Sequence, residues 1–286
     1  MVQILRSTRY QSTFTSCGKC VELFVQITSV RLSYNALNTA WSALSTFLKI
    51  QTEPIGRHPF VIRFLKGCYQ LRPSIPKNIV TWDVNIVLRY LDDLFPLDKI
   101  TFRNLTLKCV TLLAILSAQR ASALHSIDVR NITMFEKEVK IRFGDLLKTS
   151  RPGVHQAEIA IAAFPRKALC LVHTLDVYLN YTKKLREDHT QLFISFIPPH
   201  RPVVNSSISR WIKTVLISAG VDMAIFTPHS TRSASTSAAK VSNVPMQTIL
   251  KTAGWSNDCT FAKFYDKQIP DRHSFARNIQ SGASEC

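Results

Sequence analysis

Five short segments carry the residues most able to do chemistry. They are Ser117-Ala-Gln-Arg120-Ala-Ser-Ala-Leu124, Gly144-Asp-Leu-Leu-Lys148-Thr-Ser-Arg-Pro-Gly153, Pro228-His229-Ser-Thr-Arg232-Ser-Ala-Ser235, Thr252-Ala-Gly-Trp255-Ser and Phe261-Ala-Lys-Phe-Tyr265-Asp. His229 and Arg232 stand three residues apart, so on a helix they share a face. The pair falls near the start of a helical pattern, where the dipole is positive and backbone N–H groups are unpaired, a natural site for an anion. Arg120, Lys148 and the indole N–H of Trp255 would complete a pocket made of donors. No carboxylate cluster accompanies them, so the pocket is not built to hold a metal. Such a pocket fits a phosphodiester and favours the extra charge of a pentacoordinate transition state. Tyr265 is then a candidate nucleophile, because a phenol can form a covalent ester intermediate.

Taken singly, each of these residues has an ordinary explanation. Arg120 would be a solvated helix end, Lys148 an exposed turn lysine, and His229 a hydrogen bonder at a helix terminus. Trp255 and Tyr265, near Phe261 and Phe264, would be core aromatics. The weight lies in finding all six in one chain, in this order.

That order resembles the tyrosine recombinase (phage integrase) family. Its signature is an arginine after a helix, a lysine in a β-turn, a His-x-x-Arg helix, a His or Trp, and a C-terminal tyrosine. The wording of Pro228–Ser237 and of Ala253-Gly-Trp-Ser256 looks most like recombinases of eukaryotic DIRS-like and Crypton-like mobile elements. The resemblance covers roughly residues 30–275. It implies that Arg120 and Arg232 bind the non-bridging oxygens of a scissile phosphate. It implies that His229 and Trp255 add donors, with His229 assisting deprotonation of Tyr265. Lys148 would be the general acid for the leaving 5′-oxygen. Tyr265 would attack, leaving a 3′-phosphotyrosyl link that conserves the bond energy, so neither metal nor ATP is called for. The sequence departs from the family pattern at Ala123, where an acidic residue often stands, and at Trp41, where related elements tend to carry arginine.

Length and composition agree with this class. The chain has 286 residues and a net charge of +17, with 46% hydrophobic residues. That charge points to a polyanionic partner, nucleic acid ahead of a membrane surface. The longest near-continuous apolar run, Cys109 to Ala118, is about half of a membrane span. Seven scattered cysteines imply no disulfide framework. Cys17-Gly-Lys-Cys20 lacks the two further ligands that a zinc site needs. The basic, Ser/Thr-rich first twenty residues weakly resemble a mitochondrial transit peptide, though a frayed basic terminus is the simpler reading.

The elements that must position these residues follow from periodicity. A helix is predicted from Ser33 to Leu48, with Leu37, Trp41, Leu44 and Leu48 on one face, and another over Pro59–Tyr69. Pro-punctuated Arg72–Asn78 reads as a linker. Helices follow over Asp83–Leu94 and Thr101–Ser117, the latter with Leu105, Cys109, Leu112, Leu113 and Leu116 on one side. The period then changes to two, predicting a hairpin (Asn131–Phe135 and Glu138–Phe143) and a third strand, Ala157–Phe164. Helices return at Leu169–Leu185, Ser207–Ser218, Pro228–Lys240 (Thr227 as N-cap, Pro228 at the first helical position), Pro245–Thr252 and Asp258–Tyr265. A short helix over Arg272–Ile279 closes the chain.

The fold expected is mainly α with a small antiparallel β-sheet, in two lobes. Residues 1–78, net +8, would be a small, partial helical core-binding clamp. Residues 79–286, net +9, would be an α+β catalytic domain with a short tail. The expected partner is double-stranded DNA, bound by a homo-tetramer on two duplexes, with no cofactor, metal, membrane or small-molecule substrate. The expected activity is DNA strand cleavage and rejoining in recombination or integration of a mobile element. A decayed recombinase that only binds DNA, motivated by Ala123 and the short N-terminal part, and a type IB topoisomerase are the alternatives. Arg151, Arg166, Lys167, Lys183, Lys184 and Arg186 read as solvated surface or DNA-backbone contacts. Ser230–Ser237 reads as small residues that let helices pack closely. A nuclear location follows from the substrate, with mitochondria as the weaker alternative.

Overall fold

The computed structural model describes residues 32–50, 53–73, 79–144, 158–255 and 257–269. Lys148, Arg151, Cys17, Cys20, the basic first twenty residues, most of the linker and the expected Arg272–Ile279 helix lie outside them. The chain divides into two compact units, Met1–Lys77 and Asn78–Cys286.

In the first unit, α1 (Tyr34–Phe47) starts where Ser33 accepts a hydrogen bond from the Ala36 amide, a serine N-cap. A two-residue ribbon, β1 (Lys49–Ile50) with β2 (Glu53–Pro54), and α2 (Pro59–Leu71) follow. The ribbon is too short for a periodic signal, so the sequence does not reveal it. Trp41, Ile55 and Val61 form a small core. Trp41 is thus a packing residue of this unit.

The second unit is built round α4 (Phe102–Ser117), started by Thr101 capping the Asn104 amide. α3 (Val84–Asp93) precedes it, with Asp83 as N-cap. α6 (Leu171–Thr182), α7 (Asn205–Ser218) and α8 (Ser230–Val241) all pack against α4. The expectation of one buried face on α4 is therefore corrected. Every residue from Leu105 to Ile115 is buried, whereas Leu116 is partly exposed. Even Lys108 is fully buried, because its Nζ donates to the Leu94 carbonyl at 2.6 Å, at the C-terminus of α3. A helix with neighbours on all sides is buried all round, and a polar residue on it is accommodated by a hydrogen-bond partner.

The period-two stretch forms a three-stranded antiparallel sheet, β3 (Ile132–Met134), β4 (Glu138–Arg142) and β5 (Glu158–Ala162), with β4 in the middle. Ile141 pairs with both Ile132 and Ile159, and Val139 with Ile161. Val139, Ile141 and Ile159 face the core, as alternation requires. A short helix, α5 (Ala121–His125), leads from α4 toward the sheet. The last elements are α9 (Met246–Ala253) and α10 (Asp258–Phe264). They close a second cluster of Ala118, Ile249, Ala253, Trp255 and Phe261, against which Tyr265 packs.

Two expectations for basic and helix-start residues need correction. Arg186 is not a surface contact. It is buried, with Nη1 donating to the Gln191 carbonyl and Nη2 to Thr182 Oγ1 and the Leu192 carbonyl. Arg166 is exposed but pairs with Asp92. α8 begins at Ser230 with His229 as N-cap, not at Pro228 with Thr227 as cap. The Thr227 carbonyl instead accepts from the Ser230 amide at 2.8 Å, closing one tight turn before the helix.

Candidate functional site

α4 ends at Ala118, whose φ of 49° is left-handed and turns the chain sharply. Gln119 and Arg120 follow. Gln119 Nε2 donates to the Thr252 carbonyl at 2.7 Å and ties this turn to the end of α9. Arg120 is the N-cap of α5, with its carbonyl accepting the Ala123 and Leu124 amides, while its side chain caps nothing. A cleft of about 70 Å³ lies beside it, lined by Arg120, Gln119, Pro228, His229, Thr231 and Arg232 among others. The first arginine and the His-x-x-Arg segment, more than a hundred residues apart in sequence, thus share one concavity.

Arg232 is the best buried of these side chains, at 1% exposure. It stands in the first turn of α8. Its Nη2 donates to the Ala253 carbonyl, whereas Nε and Nη1 are buried with no partner among the described residues. Its guanidinium carbon lies 4.5 Å from the centre of the Trp255 ring and 5.4 Å from that of Tyr265. Burial, then the like charge of Arg120, pull its pKa down to about 10, and Tyr265 opposes them. It remains a cation at neutral pH. A buried cation with two idle donor nitrogens is costly unless an anion meets them.

Gly254 ends α9 in the left-handed conformation (φ 66°) that glycine favours, with the Trp255 amide returning to the Leu250 carbonyl at 2.9 Å. This reversal packs Trp255 against Tyr265, ring centres 4.5 Å apart and planes tilted by 36°. The Trp255 Nε1 is buried without a partner among the described residues, a further idle donor. Tyr265 follows α10, whose N-cap Asn257 accepts from the amide and hydroxyl of Thr260. Its hydroxyl is 3.4 Å from His229 Nε2, a long hydrogen bond. A histidine there can take up a phenolic proton once the geometry tightens on a substrate.

Of the six candidates, then, Arg120, His229, Arg232, Trp255 and Tyr265 converge. Arg120, His229 and Arg232 line the cleft, and Trp255 and Tyr265 pack against Arg232. Lys148 lies outside the described residues. Among the described residues no group of three His, Cys, Asp or Glu side chains could hold a metal ion, and no helix is long and apolar enough to cross a membrane. The sequence reading missed the supporting shell. Gln119, Trp82, Ser230 and Ser237 all bond to site elements far away in sequence. The Ser/Thr run on α8 is a set of hydrogen bonders as well as small packing residues.

The profile of the Phage integrase family matches residues 92–269, more than half of the chain and all of the site. The chain belongs to the phage integrase family. Solved structures of this integrase fold are similar along nearly the whole chain. The Tn1549 transposon integrase in complex with transposon right end DNA has a TM-score of 0.60 at 15% identity, covering 98% of this chain and 90% of that one. The XerH site-specific recombinase bound to palindromic difH substrate, a post-cleavage complex, has a TM-score of 0.57 at 11% identity, over 93% and 70%. The XerA recombinase has a TM-score of 0.51 at 16% identity, over 98% and 89%. At such identities the likeness speaks for the fold, the mainly helical unit with a small antiparallel sheet. No curated protein sequence matches this integrase-family chain.

Proposed function

We propose that this integrase-family protein cleaves and rejoins DNA strands with Tyr265 as nucleophile. The observation that carries the reading is Arg232, a buried cation with two donor nitrogens unpartnered among the described residues, packed against a tyrosine whose hydroxyl faces a histidine. In the step proposed, Tyr265 Oη forms a bond to phosphorus and gives up its proton toward His229. The bond from phosphorus to the 5′-oxygen breaks, and that oxygen takes a proton from a general acid, the role the family resemblance gives to Lys148. Arg120 and Arg232 hold the non-bridging oxygens, and Trp255 lends its indole N–H. Attack by the 5′-hydroxyl of another strand reverses the chemistry and exchanges strands.

The net charge of +17 supports duplex DNA as the partner. The similar XerH and Tn1549 proteins are themselves described with DNA. Action as a tetramer on two duplexes, service to a mobile element and a nuclear location extend the reading along the resemblance of Pro228–Ser237 to DIRS-like and Crypton-like recombinases.

The test is covalent trapping. Purified protein is mixed with nicked duplexes from the flanks of its own locus, and a denaturation-resistant adduct is sought. The expected result is an adduct that Tyr265→Phe abolishes while DNA affinity stays within about twofold. An adduct that survives in Tyr265→Phe would overturn the assignment. Binding without any adduct would favour a protein that only holds DNA. Plasmid relaxation without strand exchange would favour a topoisomerase.

A further inference from the structure

One face of α8 repeats polar residues at Ser230, Ser233, Ser237 and Lys240, spaced i, i+3, i+7 and i+10, with Ser233 and Ser237 buried. Each member holds a segment that is remote in sequence. Ser230 Oγ accepts the indole N–H of Trp82 at 2.9 Å and passes its own proton to the Thr227 carbonyl. Ser233 Oγ lies 3.5 Å from the buried Thr81 hydroxyl. Ser237 Oγ donates to the Tyr265 carbonyl at 2.9 Å and accepts the Lys267 amide at 3.1 Å. Lys240 pairs with the Asp266 carboxylate.

Two straps therefore lie along one helix. One is Ile79–Trp82 and the other is Tyr265–Gln268. They also pair with each other. The Thr81 amide donates to the Gln268 carbonyl at 2.8 Å, and the Gln268 amide to the Ile79 carbonyl at 3.2 Å. The tyrosine needs such a hold because α10 ends at Phe264. At the C-terminal end of a helix the last carbonyls have no intrahelical partner. The Tyr265 and Asp266 amides still reach the Phe261 carbonyl, but the Tyr265 carbonyl and the Lys267 amide lie beyond the helix. Here one hydroxyl, 1% exposed, satisfies a carbonyl and an amide together.

We propose that Ser237, with the seam it belongs to, is a positioning residue that fixes Tyr265 relative to Arg232. The proposal rests on the reading of Tyr265 as nucleophile. Arg232 stands on the same helix five residues earlier, so nucleophile and phosphate-binding group are referenced to one rigid element. A displacement of about 1 Å in such a pair is worth about a hundredfold in rate.

The test compares Ser237→Ala and Ser237→Thr with the wild type in single-turnover adduct formation at saturating DNA. Ser237→Ala is expected to slow the saturated rate by about 10- to 100-fold with the DNA dissociation constant within about twofold. Ser237→Thr, which keeps the hydroxyl, is expected to recover most of that rate. Thr182→Ala serves as a comparator, since it removes a buried hydroxyl of α6 that bonds Arg186. It should lower the melting temperature and leave the saturated rate unchanged. A Ser237→Ala rate equal to wild type, or a loss confined to DNA affinity, overturns the proposal. Amide hydrogen exchange supplies a readout independent of cleavage. Asp266, Lys267 and Gln268 should exchange at least tenfold faster in Ser237→Ala, and unchanged exchange also overturns it. A wild type that forms no adduct defeats the reading of Tyr265 instead, and exchange still decides whether the seam holds the strap.

Discussion

Replacing Arg232 by methionine separates a ligand-binding cation from a structural one. Burial, then the like charge of Arg120, pull the guanidinium down to about 10, an unfavourable contribution on the order of 3 kcal/mol in the folded state. Arg232→Met removes that cost. It also forfeits the bond to the Ala253 carbonyl and the stacking on Trp255, about 1–2 kcal/mol and about 1 kcal/mol. The opposing contributions nearly cancel, so stability without DNA should move by no more than about 1 kcal/mol. In a unit of this size that is about 2–4 °C in melting temperature. Arg186 is the control. It too is buried, but its Nη1 and Nη2 make three hydrogen bonds to the protein. Arg186→Met strands those acceptors and should cost about 3 kcal/mol, about 6–12 °C. The assay is thermal unfolding of both variants with and without duplex DNA, beside a direct binding measurement. Arg232→Met should weaken DNA binding by about 10- to 100-fold, the worth of a charge-assisted contact to phosphate. If Arg232→Met unfolds as early as Arg186→Met and binds DNA as wild type does, Arg232 is a structural strut and the phosphate pocket is refuted.

Two further outcomes follow from charge. DNA affinity should fall by about a thousandfold or more between 50 and 200 mM salt if the net charge of +17 engages six or more phosphates, and a salt-insensitive dissociation constant, measured by fluorescence anisotropy, would remove DNA backbone as the partner. Asp128 is held down to about 2 chiefly by its hydrogen bonds from Arg130, with Thr190 assisting. A carboxylate depressed in the folded state adds stability above its ordinary 3.8, lost as pH falls through about 2. Asp128→Asn should therefore lower stability at pH 7 by about 1–2 kcal/mol, discounted for the exposure of Arg130, with the gap to wild type closing between pH 4 and pH 2 in urea unfolding.

Much of this architecture is legible from period and caps. Ser33, Asp83 and Thr101 start helices because each offers an oxygen to an amide two or three residues on, and that signal is local. Val139 and Ile141 mark a strand because every second residue turns inward. The readings that fail are those decided at a distance. Arg186 looks solvated until α6 and the Gln191–Leu192 segment close on it. The Thr101–Ser117 helix reads as buried on one side, yet it is buried all round, and a carbonyl at the end of α3 receives the ammonium of Lys108. Thr227-Pro228 carries a proper helix-start pair, but the tight turn that sets His229 at the cap takes precedence.

The site divides along the same line. The types and order of Arg120, His229, Arg232, Trp255 and Tyr265 can be read because the pocket's chemistry is written in side chains with few substitutes. What keeps those groups in register is written in serine and threonine, which have many uses. The spacing of Ser230, Ser233, Ser237 and Lys240 is visible in the sequence as a helix face. Its meaning is not, because the partners at Thr81, Trp82, Tyr265 and Asp266 enter only through the fold. A hydroxyl within a helix defaults to its own carbonyl one turn back, as Ser235 and Thr236 do here. Ser237 departs from that default and spends its proton on the Tyr265 carbonyl. A serine that forgoes its local bond for one 28 residues away marks where the chain has to be held, and here that place is the residue bearing the candidate nucleophile.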